Sequence, residues 1–263
     1  MSAQQPQFLP VGREGARRRV AYLLQSARAH EKPGLMWLPG LKSEMTSTKA
    51  EALAAWAERE GLAATRFDYS GHGQSEGRFE DGTIGGWLEE ACAVFDRLTQ
   101  GPQILVGSSM GGYLALLALR AMMGRGAGAE RVQALVLIAP AWDMTELIWQ
   151  SLPASARREV EEKGVTLLPS RYGEEPYAIT RTLIEEGRRH RIADAPFNPG
   201  RPVHILHGLQ DADVPWEHTL DLVAHLQGDW TRVTAVPDGE HRLSRPEDLA
   251  LLLDTVRALA SAR

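Results

Sequence analysis

The chain has 263 residues and a net charge of −5, with 43% hydrophobic and 24% charged residues. These are ordinary values for a folded domain, and a mildly acidic chain with no sustained basic run gives no footing for nucleic acid or an anionic membrane surface. The single cysteine, Cys92, excludes an intrachain disulfide, and its place beside Leu88, Ala91 and Phe95 in a helical pattern marks it as a small buried apolar residue.

Met1 to Pro10 is polar and lacks the apolar stretch of a secretory signal. Arg17, Arg18 and Arg19 read as the solvated start of a first strand, Val20 to Leu24. No run approaches the roughly 18 apolar residues of a membrane span, so a cytoplasmic protein is expected. Leu35 to Leu38 is a short apolar run stopped by Pro39-Gly40, and Ser43 to Arg59 carries Ala50, Leu53, Ala54 and Ala57 at helical spacing. Ala63 to Tyr69 reads as a strand ending in Ser70-Gly71-His72-Gly73, and Thr83 to Leu98 as a helix. Ile104 to Val106 reads as a strand, Tyr113 to Met123 as a helix and Leu135 to Ile138 as a fully apolar strand. Continuous Val/Ile/Leu strands alternating with helices predict a mostly parallel sheet covered on both faces.

The rhythm breaks between Trp142 and Arg201. Helical pieces, Ser155 to Lys163 and Ile179 to Arg191, are interrupted by Pro153, Pro169, Pro176 and Pro196, and no convincing strand is visible. The alternation resumes with a strand at Val203 to Leu206, a helix at Trp216 to Leu226, a strand at Arg232 to Val236 and a helix at Glu247 to Leu259. A long structureless loop is rare in a compact domain. The expected organisation is an α/β core, residues 1–141 and 201–263, with a helical cap, residues 142–200, inserted before the late strands.

Gly107-Ser108-Ser109-Met110-Gly111 fits G-x-S-x-G between a strand and a helix, the context in which a sharp turn exposes a nucleophilic serine. The strained turn needs small neighbours, which Gly107 and Gly111 supply. A P-loop would need Gly-Lys-Ser/Thr, which is absent, and a dinucleotide fingerprint belongs on the first βα unit. A serine hydroxyl needs a base, and the base an orienting carboxylate, in chain order Ser, Asp, His. Asp211 follows the Val203 to Leu206 strand, and His241 follows the last strand. Asp213 competes with Asp211, but it lies beside Val214-Pro215, where it could instead brace the turn or cap the next helix. The oxyanion of acyl transfer calls for two backbone N–H donors. Met110 is expected to give one, and Leu41, in Pro39-Gly40-Leu41-Lys42, the other. Trp142 and Trp149 are candidates for an apolar substrate pocket, the alternative being that they fasten the cap to the core.

Phe67-Asp68-Tyr69-Ser70-Gly71-His72-Gly73-Gln74-Ser75, Gly101 to Gly112, His207 to Asp211 with Val214-Pro215-Trp216, and Asp238 to Arg242 together resemble the α/β-hydrolase branch of the mitochondrial acyl-glucuronide esterase and palmitoyl-protein thioesterase. The cap stretch Glu159 to Val165, with Pro169-Ser170 and Tyr172, resembles the same branch, and the likeness runs from about Gly34 onward. Many relatives carry His-Gly where this chain has Pro39-Gly40. The resemblance implies an ester or thioester hydrolase with Ser109, Asp211 and His241 as triad, a small-molecule acyl substrate, and no metal or organic cofactor. A bacterial-type relative is expected. The same triad can run lactone or perhydrolysis chemistry, and a silent binding protein could keep the pocket.

Overall fold

The computed structural model describes residues 5–28, 32–169 and 176–261. Among them the chain runs β1 (Gln7–Val11), β2 (Arg18–Gln25), β3 (Gly34–Leu38), α1 (Thr48–Glu60), β4 (Ala64–Phe67), α2 (Ile84–Leu98), β5 (Gln103–Ser108), α3 (Met110–Gly124) and β6 (Val132–Ile138). It continues with α4 (Met144–Ser151), α5 (Ala154–Lys163), β7 (Val165–Leu168), β8 (Tyr177–Thr180), α6 (Arg181–Gly187), β9 (Val203–Gly208), α7 (Trp216–His225), β10 (Thr231–Val236) and α8 (Pro246–Ser261). No described helix is long and apolar enough to cross a membrane.

Eight strands form one sheet in the order β1-β2-β4-β3-β5-β6-β9-β10. β1 and β2 pair antiparallel, β2 also runs antiparallel to β4, and from β4 to β10 every pairing is parallel. β1 is the strand of this sheet that sequence reasoning missed. It is only five residues long and contains Pro10, which breaks the strand pattern in sequence but is tolerated because the strand lies at the sheet edge.

Successive residues of the central strands alternate between two cores. Met36, Leu38, Leu105, Leu135 and Leu137 pack with α2 and α3, while Leu35, Trp37, Ile104, Val106, Val136 and Ile138 pack with α1 and α8. Both faces are buried, which is why these strands read as unbroken apolar runs. The chain leaves β3 for β4 on one side and returns to β5 on the other, so the C-terminal ends of β3 and β5 form a topological switch point.

Of the three N-terminal arginines, Arg17 and Arg19 are exposed as expected, but Arg18 reaches inward. Its guanidinium pairs with the fully buried carboxylate of Glu90 in α2, which also accepts the Ser70 N–H at 2.9 Å. Burial pushes the Glu90 carboxyl up, against the pull of Ser70 and Arg18.

Between β6 and β9 lie α4, α5, α6 and a two-stranded antiparallel hairpin, β7–β8. The hairpin corrects the strandless reading of this stretch, and Ile179 belongs to a strand rather than to a helix. Each strand is only four residues long, too short for a two-residue period to stand out. Thr180 ends the strand and starts α6 by accepting the Leu183 N–H at 3.1 Å. Ser170 and Tyr172 lie outside the described residues. The insertion is fastened at both ends: Asp143 accepts the N–H groups of Ile192 at 2.6 Å and Ala193 at 3.1 Å.

Glu90→Ala leaves Arg18 and the Ser70 N–H without their shared acceptor. Because Arg18 is partly solvated and keeps its second ion pair, to Glu89, the expected loss is about 2 kcal/mol, chiefly from the buried Ser70 N–H left without an acceptor. Urea unfolding of both proteins measures it, and a loss under about 0.5 kcal/mol would mean that water replaces the carboxylate.

Candidate functional site

Ser109 joins β5 to α3 with φ 56 and ψ −119, a backbone conformation an L-residue rarely holds. The turn is tied on both sides. The Ser109 N–H donates to Ile138 O at 2.8 Å, and its carbonyl accepts from Gly112 at 3.0 Å, Tyr113 at 3.3 Å and Ala141 at 3.2 Å. Glycine is required by close approach: a Cβ at Gly107 would sit 2.3 Å from Gly111 O, and one at Gly111 would sit 2.0 Å from Leu38 O.

The three polar groups predicted from the loops meet in space. His241 Nε2 lies 3.1 Å from Ser109 Oγ, and His241 Nδ1 lies 2.7 Å from Asp211 Oδ2. A carboxylate only accepts, so Nδ1 donates to Asp211, leaving Nε2 to accept from the Ser109 hydroxyl. Asp211, not Asp213, receives the imidazole. Its other oxygen accepts the N–H groups of Asp213 at 2.8 Å and Val214 at 2.9 Å. Burial pushes the Asp211 carboxyl up, but the hydrogen bonds from His241, Val214 and Asp213 outweigh it and hold the group below the usual carboxylate range. Buried His207 supports the same loop through Val214 O at 3.1 Å and the Thr219 hydroxyl at 2.8 Å. Ligating atoms of Asp211, Asp213 and His241 lie within 4.8 Å of one another. Both Asp211 oxygens are already taken by His241 and backbone N–H groups, so the set is arranged as a hydrogen-bonded chain.

A cleft of about 150 Å³ opens beside Ser109 and His241, lined also by Leu41, Lys42, Lys49 and Arg242. Leu41 follows β3 across the switch point. Gly40 allows that approach, since a Cβ there would lie 3.2 Å from Ser108 O and 3.4 Å from the Ser109 Cβ. Met110 is the first residue of α3, so its N–H is among those with no acceptor inside the helix. Trp142 and Trp149 do not line this cleft. The Trp142 indole N–H donates to His218 O at 2.7 Å, and its ring stacks on His218 and His225. Trp149 lies beside the guanidinium groups of Arg157 and Arg188, 5.8 and 5.6 Å from its ring centroid. The Trp142 indole thus fastens the insertion to α7, whereas Trp149 lines a separate cleft of about 270 Å³ within the insertion, with Val160, Arg181 and Ile184.

A family profile described as serine aminopeptidase, S33, matches residues 32–182, more than half of the chain. The human mitochondrial palmitoyl-protein thioesterase ABHD10 is 36% identical over 227 residues, covering 86% of this chain and 72% of the relative. The crystal structure of a putative hydrolase from Agrobacterium vitis S4 superposes with a TM-score of 0.94 at 43% identity, covering 98% of this chain and 99% of that one. The α/β hydrolase domain-containing protein 10 from mouse gives 0.84 at 34% identity, covering 97% and 98%. The chain belongs to the serine aminopeptidase S33 family of α/β hydrolases.

Three residues that position this hydrolase's site escaped sequence reasoning. Asp68, in the turn after β4, accepts the N–H groups of Met45 at 2.7 Å and Gln74 at 2.8 Å, joining that turn to the loop that leads into α1. Gly73 is pressed on it so closely that a Cβ would lie 2.2 Å from Oδ2. His72 packs against Phe79 and Trp87, and the Lys42 ammonium lies 4.4 Å from the centre of the Phe79 ring, so the aromatic group braces the loop carrying Leu41. Lys49 sat in a segment read as helix, where a lysine is ordinarily solvated. The available signal was its register, four and eight residues before Leu53 and Ala57 on the buried face.

Gly111→Ala should destabilise far more than Gly112→Ala. The first drives a Cβ onto rigid backbone, whereas the second meets the Pro140 Cβ at 3.0 Å. Equal urea midpoints for the two variants would contradict this steric account of the turn.

The His72 imidazole has its proton affinity lowered by burial, from an ordinary 6.5 to about 4. The unfolded chain therefore binds more protons between these values, and stability is lost as pH falls from about 6.5 towards 4. The span amounts to something of order 3 kcal/mol. His72→Phe should flatten that part of the stability–pH curve, as followed by urea unfolding at each pH.

Proposed function

We propose that the protein hydrolyses carboxylic esters or thioesters through an acyl-enzyme intermediate. The observation that carries this reading is the continuous chain from Ser109 Oγ through His241 to Asp211, at 3.1 and 2.7 Å. His241 takes the hydroxyl proton as Ser109 attacks the acyl carbon. Asp211 holds the imidazole tautomer and stabilises the imidazolium as it forms. The N–H groups of Met110 and Leu41 receive the oxyanion, Met110 with the added support of a helix N-terminus. The imidazolium then protonates the leaving oxygen or sulfur, and water, activated by His241 in turn, releases the acid.

The thioester option draws on the palmitoyl-protein thioesterase relatives. The cleft argues for short acyl groups. At about 150 Å³ it is smaller than the roughly 300–1,000 Å³ typical of sites for drug-sized ligands.

The test is turnover of p-nitrophenyl esters from acetate to palmitate, with a matched acyl-thioester set, on wild type and Ser109→Ala. Wild type should turn over with highest kcat/KM on the short chains. Ser109→Ala should lose on the order of 10⁶ in kcat, the scale of serine-triad knockouts in other enzymes. Retention of most activity by Ser109→Ala sinks the nucleophile assignment. A fluorophosphonate probe separates an enzyme from a silent binding protein, since only the enzyme is labelled at Ser109.

A further inference from the structure

Lys49 occupies a position that ordinary helix physics disfavours. It is the second residue of α1, where the helix dipole opposes a cation, and only 9% of its surface is exposed. Lysine is rarely buried to that extent without a charged partner, yet no carboxylate among the described residues lies within ion-pair distance of it. Its ammonium instead donates to the main-chain oxygen of Arg242 and lies 3.3 Å from the Ser244 hydroxyl. Burial first, then the charge of Arg242, pushes the Lys49 ammonium down to about 8, against the opposing pull of Glu240 and Asp248.

Both acceptors belong to the loop that carries His241. That loop is anchored elsewhere as well: Gly239 O accepts the Gln210 N–H at 2.8 Å, and Arg245 bridges Asp238 and Asp248. Between these anchors the chain makes a tight turn, with Leu243 buried at φ 41, a left-handed conformation costly for a branched side chain. Lys49 grips the turn on either side of Leu243, one residue beyond the imidazole.

We propose that Lys49 is a positioning residue for hydrolysis: it holds the Arg242–Ser244 turn so that the His241 imidazole stays within reach of Ser109 and Asp211 together. This rests on the reading of Ser109 as nucleophile and His241 as base. A residue kept for packing alone would be better replaced by an apolar side chain of similar length, because exchanging a buried charge for a well-packed apolar group is often neutral or stabilising. Function and stability should therefore part company at this position.

The experiment compares wild type, Lys49→Met and Lys49→Arg. Thermal midpoint, kcat and KM on the best p-nitrophenyl ester, and the rate of fluorophosphonate labelling at Ser109 are measured for each. Lys49→Met should hold or raise the midpoint and lower kcat about ten- to a hundredfold, the scale of a small misplacement of a catalytic group. KM should stay within about twofold, and labelling should slow by a factor similar to that in kcat. Lys49→Arg, which keeps a cationic donor, should recover most of the rate. Unchanged kcat and labelling in Lys49→Met overturn the proposal. So does a loss confined to KM, which would make Lys49 a substrate-binding group, or a loss in both variants that tracks a falling midpoint, which would make it structural. A wild type that neither turns over nor is labelled overturns the underlying reading and this proposal together, whereas an active, labelled wild type with an indifferent Lys49→Met overturns this proposal alone.

Discussion

The tightest constraint in the molecule is the contact between the turn at Ser109 and the end of β3. Gly111 faces Leu38 O, and Gly107 faces Gly111 O, with no room for a side-chain carbon at either place. This approach sets α3 against the sheet and turns the Ser109 peptide into its strained conformation. It also brings the loop after β3 alongside the serine. The strain is held by neighbours that have no freedom to yield: the Ser109 peptide is hydrogen-bonded to β6 and to Ala141 just after it, both buried.

The remainder of the site is assembled from loops, and each loop is fixed by a buried polar group. Asp211 folds its own turn by accepting two backbone N–H groups before it meets His241. Asp68 performs the same service between the turn after β4 and the loop leading into α1. In both, a carboxylate that would be costly to bury alone is satisfied by backbone donors, so satisfying its hydrogen bonds defines the loop conformation. Ordered loops on a rigid sheet hold reacting groups to within fractions of an ångström, as a hydrogen-bonded chain from serine to carboxylate requires.

Much of this was legible in the sequence because the relevant signals are local. Buried parallel strands announce themselves as apolar runs, and a serine between glycines at a strand-to-helix junction has few other readings. The order Ser109, Asp211, His241 then followed from which loops end which strands. What escaped detection depends on contacts distant in sequence. Arg18 looked like part of a solvated run because Glu90 lies 72 residues away. Lys49 drew no notice because its acceptor is 193 residues away. Trp142 and Trp149 were visible as large apolar residues, but composition does not reveal that the first stacks on α7 while the second lines a cleft away from Ser109. The β7–β8 hairpin was missed for a different reason: two four-residue strands on either side of a proline-containing stretch are too short to carry a period of their own.

Asp143 gives the insertion one further property. By accepting the N–H groups of Ile192 and Ala193, it brings together two points of the chain about fifty residues apart, just as the chain leaves the sheet after β6. Closing a loop costs entropy that grows only with the logarithm of its length. Once the neck is tied, the segment above it can be lengthened, shortened or exchanged with little penalty to the sheet below. The insertion thus stands on a closed neck of its own, and its length is uncoupled from the sheet that carries Ser109.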